Sequence, residues 1–255
     1  MFKKNSSKKN KKFAFSLIEL SIVILVIGIL MVGVNQGYNL VRSAQISNAR
    51  SITAKSPILQ LPGLMAWYET SLKESLNQSN IVDGNNLTTW KDISPNSILN
   101  GANQLTPTTV SSAITYAQSS INKIPAIKFN GSSKLSIANL SQGASSQATV
   151  FLVIKLNYTP NSTDYKTIFD GNSATFSFSI KSDAVQINMG DATPISTTYS
   201  TGFSNAGEYV IAVYFNGSNS KVFINNTTSA ISTSDIASTG TNQLAGITIG
   251  ANRSG

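Results

Sequence analysis

The sequence predicts an α+β protein in which one long N-terminal helix precedes an all-β sandwich of two sheets. An apolar stretch runs from Phe13 to Val34, and a helical pattern continues behind it as far as Lys55. After residue 63 the composition changes to Asn, Ser, Thr and Gly with short apolar runs, which is typical of strands separated by turns. A chain of 255 residues is long enough for such a helix and one β domain with a hydrophobic core.

The first half of the predicted helix has the length and polarity of a membrane-spanning segment, because about 20 apolar residues are enough to cross a bilayer. Six lysines precede it without any acid, so the positive-inside rule predicts a cytoplasmic N-terminus and an exported remainder. The helix from Phe15 to Lys55 would be about 60 Å long. Its second half is too polar for lipid, so we expect that half to lie half-buried against the β domain. Pro57 and Pro62 indicate a linker over residues 56–63.

One acidic residue, Glu19, lies about one helical turn into the apolar run. A carboxylate there costs up to about 3 kcal/mol, so its presence predicts a positively charged partner. An α-amine has a pKa of about 8 and is cationic at neutral pH. Cleavage between Ala14 and Phe15 would create one. The competing interpretation, that the positive end of the helix dipole is sufficient for the acid, accounts for part of its tolerance.

The residues around Ala14 resemble a known processing signal. A lysine-rich leader, a small residue, the sequence Phe-Ser-Leu-Ile-Glu-Leu over residues 15–20 and an apolar helix are similar to the class III signal of type IV prepilins and pseudopilins. The resemblance implies that prepilin peptidase removes residues 1–14 by cutting after Ala14 and that Phe15 is then N-methylated. Phe15 and Glu19 would pair between subunits during assembly. Ala14 stands where the family more often has Gly.

The resemblance also implies a function, that of a structural subunit of a type IV pilus-like or type II secretion pseudopilus filament. Such a subunit is a single-pass precursor in the bacterial inner membrane, with its globular part outside the cytoplasm. It then joins a helical polymer with the same or other pilin subunits in a pilus or pseudopilus. An ordinary secretory signal is the competing interpretation, but Glu19 and the lack of an Ala-x-Ala site after Val34 argue against it.

The strands of the predicted head, residues 64–255, follow two patterns. Apolar residues alternate over residues 176–180 and 185–189 around Lys181-Ser182-Asp183, which predicts a hairpin with one buried face. Residues 150–154 and 210–213 are continuous apolar runs, which suit central strands of a two-sheet sandwich. The candidate strands are Leu64 to Tyr68, Thr89 to Asp92, Ala126 to Phe129, Lys134 to Ile137, Ala148 to Leu156, Lys166 to Phe169, Ala174 to Ile180, Ala184 to Met189, Glu208 to Phe215, Lys221 to Ile224 and Ile247 to Ile249.

Several head segments resemble the concanavalin A-like, laminin G-like jelly roll. They are residues 64–68, 87–94, 125–132, 208–217 and 247–250, in the order of that family. The resemblance implies a jelly-roll sandwich over residues 64–255. The family usually continues after the Ile-Gly turn with another core strand and a closing helix or loop. The resemblance therefore implies a chain that stops short of the full domain and leaves one sheet position unfilled.

The composition excludes several classes of function. Of the 19 Lys and Arg residues, six lie in the leader, which leaves 13 against 11 acidic residues, so no nucleic-acid partner is expected. The chain contains neither Cys nor His, which excludes disulfides, thiolate or imidazole metal sites and nucleophilic sites that need a histidine base. Glycosidases need two carboxylates about 5 to 10 Å apart, whereas the acids here are scattered. We therefore expect no enzymatic activity and no cofactor.

Trp67, Tyr68 and Trp90 point to an alternative function. Aromatic faces pack on sugar rings, so Trp67 and Trp90 would make the head a membrane-anchored or filament-tip carbohydrate-binding adhesin that recognises glycans. Packing in the core or at a sheet edge is the favoured interpretation of these residues. Residues 83–86, 170–172 and 188–191 offer oxygens suited to Ca²⁺, but their Asp-Gly and Asn-Gly dipeptides are also what tight turns require. No metal site is predicted.

Overall fold

The structure is a computed structural model that describes residues 16–76, 82–95, 97, 102–108, 114–172, 174–191, 193–225, 228–231, 236–251 and 253. These residues form one long helix followed by a β-sandwich of antiparallel sheets, which confirms the predicted α+β class. The chain divides into two compact units, the first ending at Ser47 and the second beginning at Asn48.

Helix α1, Leu17–Ala54, is one continuous helix of 38 residues, which corresponds to about 57 Å. It ends one residue before the predicted Lys55. The segment Leu17–Gln60 contains a stretch that is long and apolar enough to cross a membrane. None of the residues of α1 is buried. In a soluble protein the apolar stripe of a helix is buried against a core, so α1 differs from an ordinary core helix.

The last turns of α1 belong to the second unit and contact the chain that follows. Ala49, Arg50 and Thr53 are half-buried, and Arg50 Nε donates a hydrogen bond to the carbonyl oxygen of Ser71 at 2.7 Å. Behind the helix, Pro57–Gln60 forms a 3-10 turn that Ser56 caps with its side-chain oxygen. Proline at the first position of such a turn is favourable, because its missing N–H would have no partner there.

The described residues of the head contain twelve strands, and every pair of neighbours runs antiparallel. Their bounds are β1 Thr106–Pro107, β2 Ile114–Ile121, β3 Ile124–Phe129, β4 Leu135–Ile137, β5 Ala148–Lys155, β6 Lys166–Asp170, β7 Ser177–Lys181, β8 Ala184–Asn188, β9 Ile195–Thr198, β10 Glu208–Phe215, β11 Lys221–Ile224 and β12 Ile247–Ile249.

The strands form three sheets. A seven-stranded sheet has the order β1-β4-β12-β6-β7-β8-β9, a three-stranded sheet has the order β11-β10-β5, and β2 and β3 form a hairpin of their own. Lys155 at the end of β5 donates to the carbonyl oxygen of Ser120 in β2, so the hairpin lies beside the three-stranded sheet. Strand β12 lies inside the large sheet, with β4 and β6 on either side.

Aromatic side chains pack the large sheet against the three-stranded sheet. The ring of Phe215 in β10 lies 4.4 Å from the ring of Phe176, next to β7, and 6.3 Å from that of Phe169 in β6. Phe176, Phe178 and Phe215 are fully buried. Since the chain contains no cysteine, burial of these side chains takes the place of disulfides in holding the sheets together.

The predicted hairpin is confirmed. Strands β7 and β8 pair with Phe178 opposite Ile187 and Ile180 opposite Val185, and the turn lies between Lys181 and Ala184. The alternating apolar residues of both strands are all buried. A one-residue slip would move them to the solvent face, so the alternation also determines the register.

Two predicted strands are wrong. Residues 64–68 and 89–92 form no strand, and of these only Trp90 takes part in isolated bridges, to Leu76 and Leu105. A side chain takes the place of a strand partner here, because Asp92 accepts the backbone N–H of Trp67. Strands β1, β2 and β9 were not predicted; Ser and Thr interrupt the apolar pattern of β2 and β9, and β1 has only two residues.

Strands β5 and β10 pair over their whole length. Of the two continuous apolar runs that we expected to be central strands, only β10 is central, because β5 is an edge strand of the three-stranded sheet, and one face of each strand is exposed. Phe151 and Val153 are 73% and 61% exposed, and Val210 is 53% exposed. These runs therefore contain more apolar residues than the core of the sandwich buries.

Phe176→Ala should lower the free energy of unfolding of the full chain by about 3 to 5 kcal/mol, since it removes a fully buried ring and leaves a cavity. Phe151→Ala is the matched control on an exposed position and should change it by less than about 0.5 kcal/mol. Urea unfolding followed by circular dichroism measures both. Equal losses would contradict the described core.

Candidate functional site

The start of α1 is a capping box formed by Ser16 and Glu19. The backbone N–H of Ser16 donates to Oε2 of Glu19 at 2.8 Å, and the backbone N–H of Ile18 donates to Oγ of Ser16 at 3.3 Å. The first helical bond runs from the N–H of Leu20 to the carbonyl oxygen of Ser16 at 3.1 Å. Each bond satisfies an N–H or carbonyl group at the first turn of the helix. Sequence reasoning missed this role of Ser16, although Ser-x-x-Glu before an apolar run is its signature.

The capping box places the Glu19 carboxylate beside the backbone N–H of Ser16, the second residue after the predicted cleavage site. Ala14 and Phe15 themselves lie outside the described residues. A carboxylate has two oxygens, so one can cap its own helix while the other accepts a hydrogen bond from an amine. The negative charge also lies in the first turn of α1, where the helix dipole favours it. Glu19 is therefore oriented toward the helix end at which proteolysis would create a cation.

Of the two candidate sugar-stacking residues, Trp90 uses its polar atom within the head. Its Nε1–H donates to the carbonyl oxygen of Glu69 at 2.9 Å and to Oγ of Ser75 at 3.2 Å. Its ring is half-buried, and its centroid lies 5.7 Å from that of Tyr68 at an interplanar angle of 57°. Trp67 is also half-buried. The structure thus brings Tyr68 and Trp90 together in a tilted aromatic pair.

A buried polar network lies behind this aromatic pair, and no sequence pattern predicted it. Asp92 accepts hydrogen bonds from the backbone N–H groups of Trp67 and Ser94, at 2.7 and 2.8 Å, and from Nδ2 of Asn103 at 3.0 Å. Tyr68 Oη donates to the carbonyl oxygen of Asn103 at 2.6 Å. Burial, and secondarily the charge of Asp92, raises the pKa of Tyr68 far above its ordinary value. The phenol therefore stays protonated and keeps donating to Asn103.

Oxygens of the segments that could suit Ca²⁺ accept hydrogen bonds from the protein. Asp83 accepts the backbone N–H of Gln118 at 2.7 Å, and Asn188 accepts those of Gly190 and Asp191 at 2.7 and 2.9 Å. Among the residues that the structure describes, no three Asp or Glu side chains cluster as a metal site would require. Residues 83 and 84 form a turn, as the favoured interpretation of their sequence predicted, residues 189 and 190 form a bend, and Asp170 is the last residue of β6.

The model of the prokaryotic N-terminal methylation motif matches residues 9–35. The chain carries the N-terminal signal of a type IV pilin-like precursor. The matched residues include both sides of the predicted cleavage site, the capping box and the first half of α1. The motif and the apolar helix together are those of a membrane-anchored precursor.

Other comparisons add little. No curated protein matches this chain. Among solved structures, domain 4 of AbnA, a GH43 extracellular arabinanase from Geobacillus stearothermophilus in complex with arabinotriose, is 16% identical with a TM-score of 0.39. That likeness covers 64% of this chain and 78% of the arabinanase domain. It is too distant to bear on the fold or the ligand of the head.

The head also contains a carboxylate that anchors a loop. Asp191 accepts hydrogen bonds from the hydroxyl groups of Ser238 and Thr239, from the N–H of Thr239 at 2.6 Å and from that of Gly240 at 2.8 Å. A Cβ atom on Gly240 would lie 2.2 Å from the carbonyl oxygen of Met189, so only glycine fits this approach. Asp191 therefore fastens the loop before β12 to the end of β8.

These hydrogen bonds determine the acidity of Asp191. Partial burial works to raise its pKa, but the bonds from Ser238, Thr239 and the N–H of Met189 outweigh burial and lower the pKa below its ordinary value. A carboxyl group whose pKa is lower in the folded than in the unfolded state stabilises the fold above the unfolded pKa. That stability is lost as the pH falls through the folded pKa.

Asp191→Asn should lower the free energy of unfolding by about 1 to 3 kcal/mol at pH 7, because several donors lose a charged acceptor. The difference from the unsubstituted chain should shrink as the pH falls below about 4, the ordinary pKa of Asp in an unfolded chain. Asp183→Asn, in an exposed ion pair with Lys181, is the control and should cost less than about 0.5 kcal/mol. A pH-independent loss at Asp191 would contradict this account.

Proposed function

We propose that the chain is a structural subunit of a type IV pilus-like or type II secretion pseudopilus filament. The observation that carries this proposal is the methylation motif at residues 9–35, which coincides with the start of an apolar helix that has no buried residue. An apolar helix of this length needs a non-aqueous environment. Lipid provides it before assembly, and the helices of neighbouring subunits provide it in a filament.

Processing would begin with prepilin peptidase on the cytoplasmic side, where the lysines of residues 1–14 hold the leader. Hydrolysis of the peptide bond between Ala14 and Phe15 releases the leader with a new carboxylate and leaves an α-amino group on Phe15. N-methylation keeps that amine cationic. The mature chain then consists of the helix over residues 15–55, the linker over 56–63 and the head over 64–255, outside the cytoplasm.

Assembly would depend on an ion pair between Glu19 of one subunit and the Phe15 amine of the next. In a low-dielectric environment each charge alone is costly, and pairing removes most of that cost. The pair forms only when the two helices have one axial offset, so it determines the register of the polymer. The partners are further copies of this chain or other pilin subunits, first in the inner membrane and then in the pilus or pseudopilus.

The head would be a concanavalin A-like, laminin G-like jelly roll. Its facing antiparallel sheets, with β12 inside the larger one, support this proposal. The adhesin alternative, with Trp67 and Trp90 on a glycan, stays a prediction that a glycan array with Trp67→Ala and Trp90→Ala variants would test. A structural subunit of this kind requires no catalytic activity.

Replacing Glu19 separates its charge from its capping role. Glu19→Leu should insert into the membrane normally, since it makes the helix more apolar, but should lower the amount of chain in filaments by about tenfold or more. Glu19→Gln should fail equally, because Gln still caps Ser16 but carries no charge. The measurements are membrane fractionation and the amount of chain in the sheared filament fraction.

Glu74→Leu, an exposed acid of the head, is the control and should assemble as the unsubstituted chain does. Assembly of Glu19→Gln at normal levels with failure of Glu19→Leu would assign the residue to helix capping alone. Normal assembly of both Glu19 variants would remove the proposed ion pair.

A further inference from the structure

The side chain of Ser16 holds one particular N–H group at the start of α1. The backbone N–H of Ile18 donates to its Oγ atom at 3.3 Å. In an α-helix an N–H group bonds to the carbonyl oxygen four residues before it. If α1 continued toward the N-terminus, the N–H of Ile18 would therefore bond to the carbonyl oxygen of Ala14. That carbonyl group belongs to the peptide bond between Ala14 and Phe15, which is the predicted cleavage site.

A second hydrogen bond of the same turn also ends the helix at this position. The backbone N–H of Ser16 donates to Oε2 of Glu19 at 2.8 Å, so a side chain occupies this N–H group as well. The first bond along the helix axis runs from the N–H of Leu20 to the carbonyl oxygen of Ser16. Helix α1 accordingly begins at Leu17, and the predicted cleavage site precedes it.

Hydrolysis of the peptide bond after Ala14 requires that its carbonyl group is free. Water adds to the carbonyl carbon, and the carbonyl oxygen becomes an oxyanion that hydrogen-bond donors of a peptidase must stabilise. The C–N bond then breaks, and the nitrogen of Phe15 takes up a proton. The products are a carboxylate on Ala14 and an amine on Phe15. A carbonyl oxygen that already accepts an N–H inside a helix is not presented to the donors of the peptidase.

The residues before Ser16 contain no helix stop signal of their own. Residues 13–15 are apolar, and Ala14 is of the type with the highest helix propensity. In lipid, every backbone N–H and carbonyl group needs a partner within the protein, which favours continuation of a helix. The lysines at positions 11 and 12 oppose continuation only further out, because cations are unfavourable at the positive end of a helix.

We propose that Ser16 is a positioning residue for processing, whose side chain keeps the carbonyl group of Ala14 out of α1 and accessible to the peptidase. The inference rests on the proposed function, because it requires that prepilin peptidase cuts between Ala14 and Phe15. Ser16 acts through the start of the helix and needs no contact with the peptidase. Replacing a serine N-cap by alanine typically shifts the balance between a capped helix start and its alternatives by about fivefold.

Cleavage of the full chain in membranes by added prepilin peptidase tests this role, with the shortened product followed over time by mass spectrometry. Ser16→Ala removes the cap and should be cut about fivefold more slowly. Ser16→Asn and Ser16→Gly should be slowed by less than about twofold, because Asn caps a helix as well as Ser does and Gly nearly as well. Ser21→Ala is the control, since its hydroxyl bonds to the carbonyl oxygen of Ile18 within the helix, and it should be cut normally.

Rescue by glycine separates a helix cap from recognition of the hydroxyl group. A peptidase that contacts Oγ of Ser16 directly would cut Ser16→Gly as slowly as Ser16→Ala, and this result would overturn the proposal. A Ser16→Ala chain that is cut as fast as the unsubstituted chain would overturn it too. Both results leave the proposed function intact, whereas an unsubstituted chain that the peptidase does not cut would remove the proposed function together with this inference.

Discussion

A carboxylate at the start of a helix that is otherwise apolar is the constraint on which the organisation of this chain depends. Helix α1 has no buried residue, so its apolar side chains need lipid or other helices around them. The carboxylate of Glu19 is unfavourable in that environment unless a hydrogen-bond donor is paired with it. Its own helix provides one donor, the N–H of Ser16. A charged group in a non-aqueous environment needs more than a neutral donor, and an α-amine created next to Ser16 would meet that need.

The head is stabilised by interactions of a different kind. It has no disulfide and no described metal cluster, so its stability comes from rings packed between the sheets and from carboxylates that accept hydrogen bonds from neighbouring segments. Asp92 accepts the backbone N–H of Trp67 and that of the nearby Ser94, and Asp191 accepts those of Thr239 and Gly240 from a segment distant in sequence. A buried polar network of this kind is favourable only when its members are satisfied, which makes it specific to one arrangement of the loops.

The sequence predicted those elements whose pattern is local. The apolar run determined α1, and strict alternation determined the hairpin of β7 and β8 with its register. Residues 64–68 have the composition of a strand, yet the side chain of Asp92, 25 residues further along the chain, accepts the backbone N–H of Trp67. The apolar runs in β5 and β10 did not reveal that half of their side chains face solvent, because continuous hydrophobicity has no period. The Ser-x-x-Glu pattern of residues 16–19 is a signal for the capping role of Ser16, but it was not used to predict that role.

The central claim is that proteolysis creates the positive terminus that the carboxylate of Glu19 requires. Mass spectrometry of the N-terminal peptide, from protein isolated from its native cells, tests it most directly. The account predicts a mature chain that begins with N-methylated Phe15. A chain that retains Met1 and its lysine-rich leader would contradict it and leave only an anchored β-sandwich.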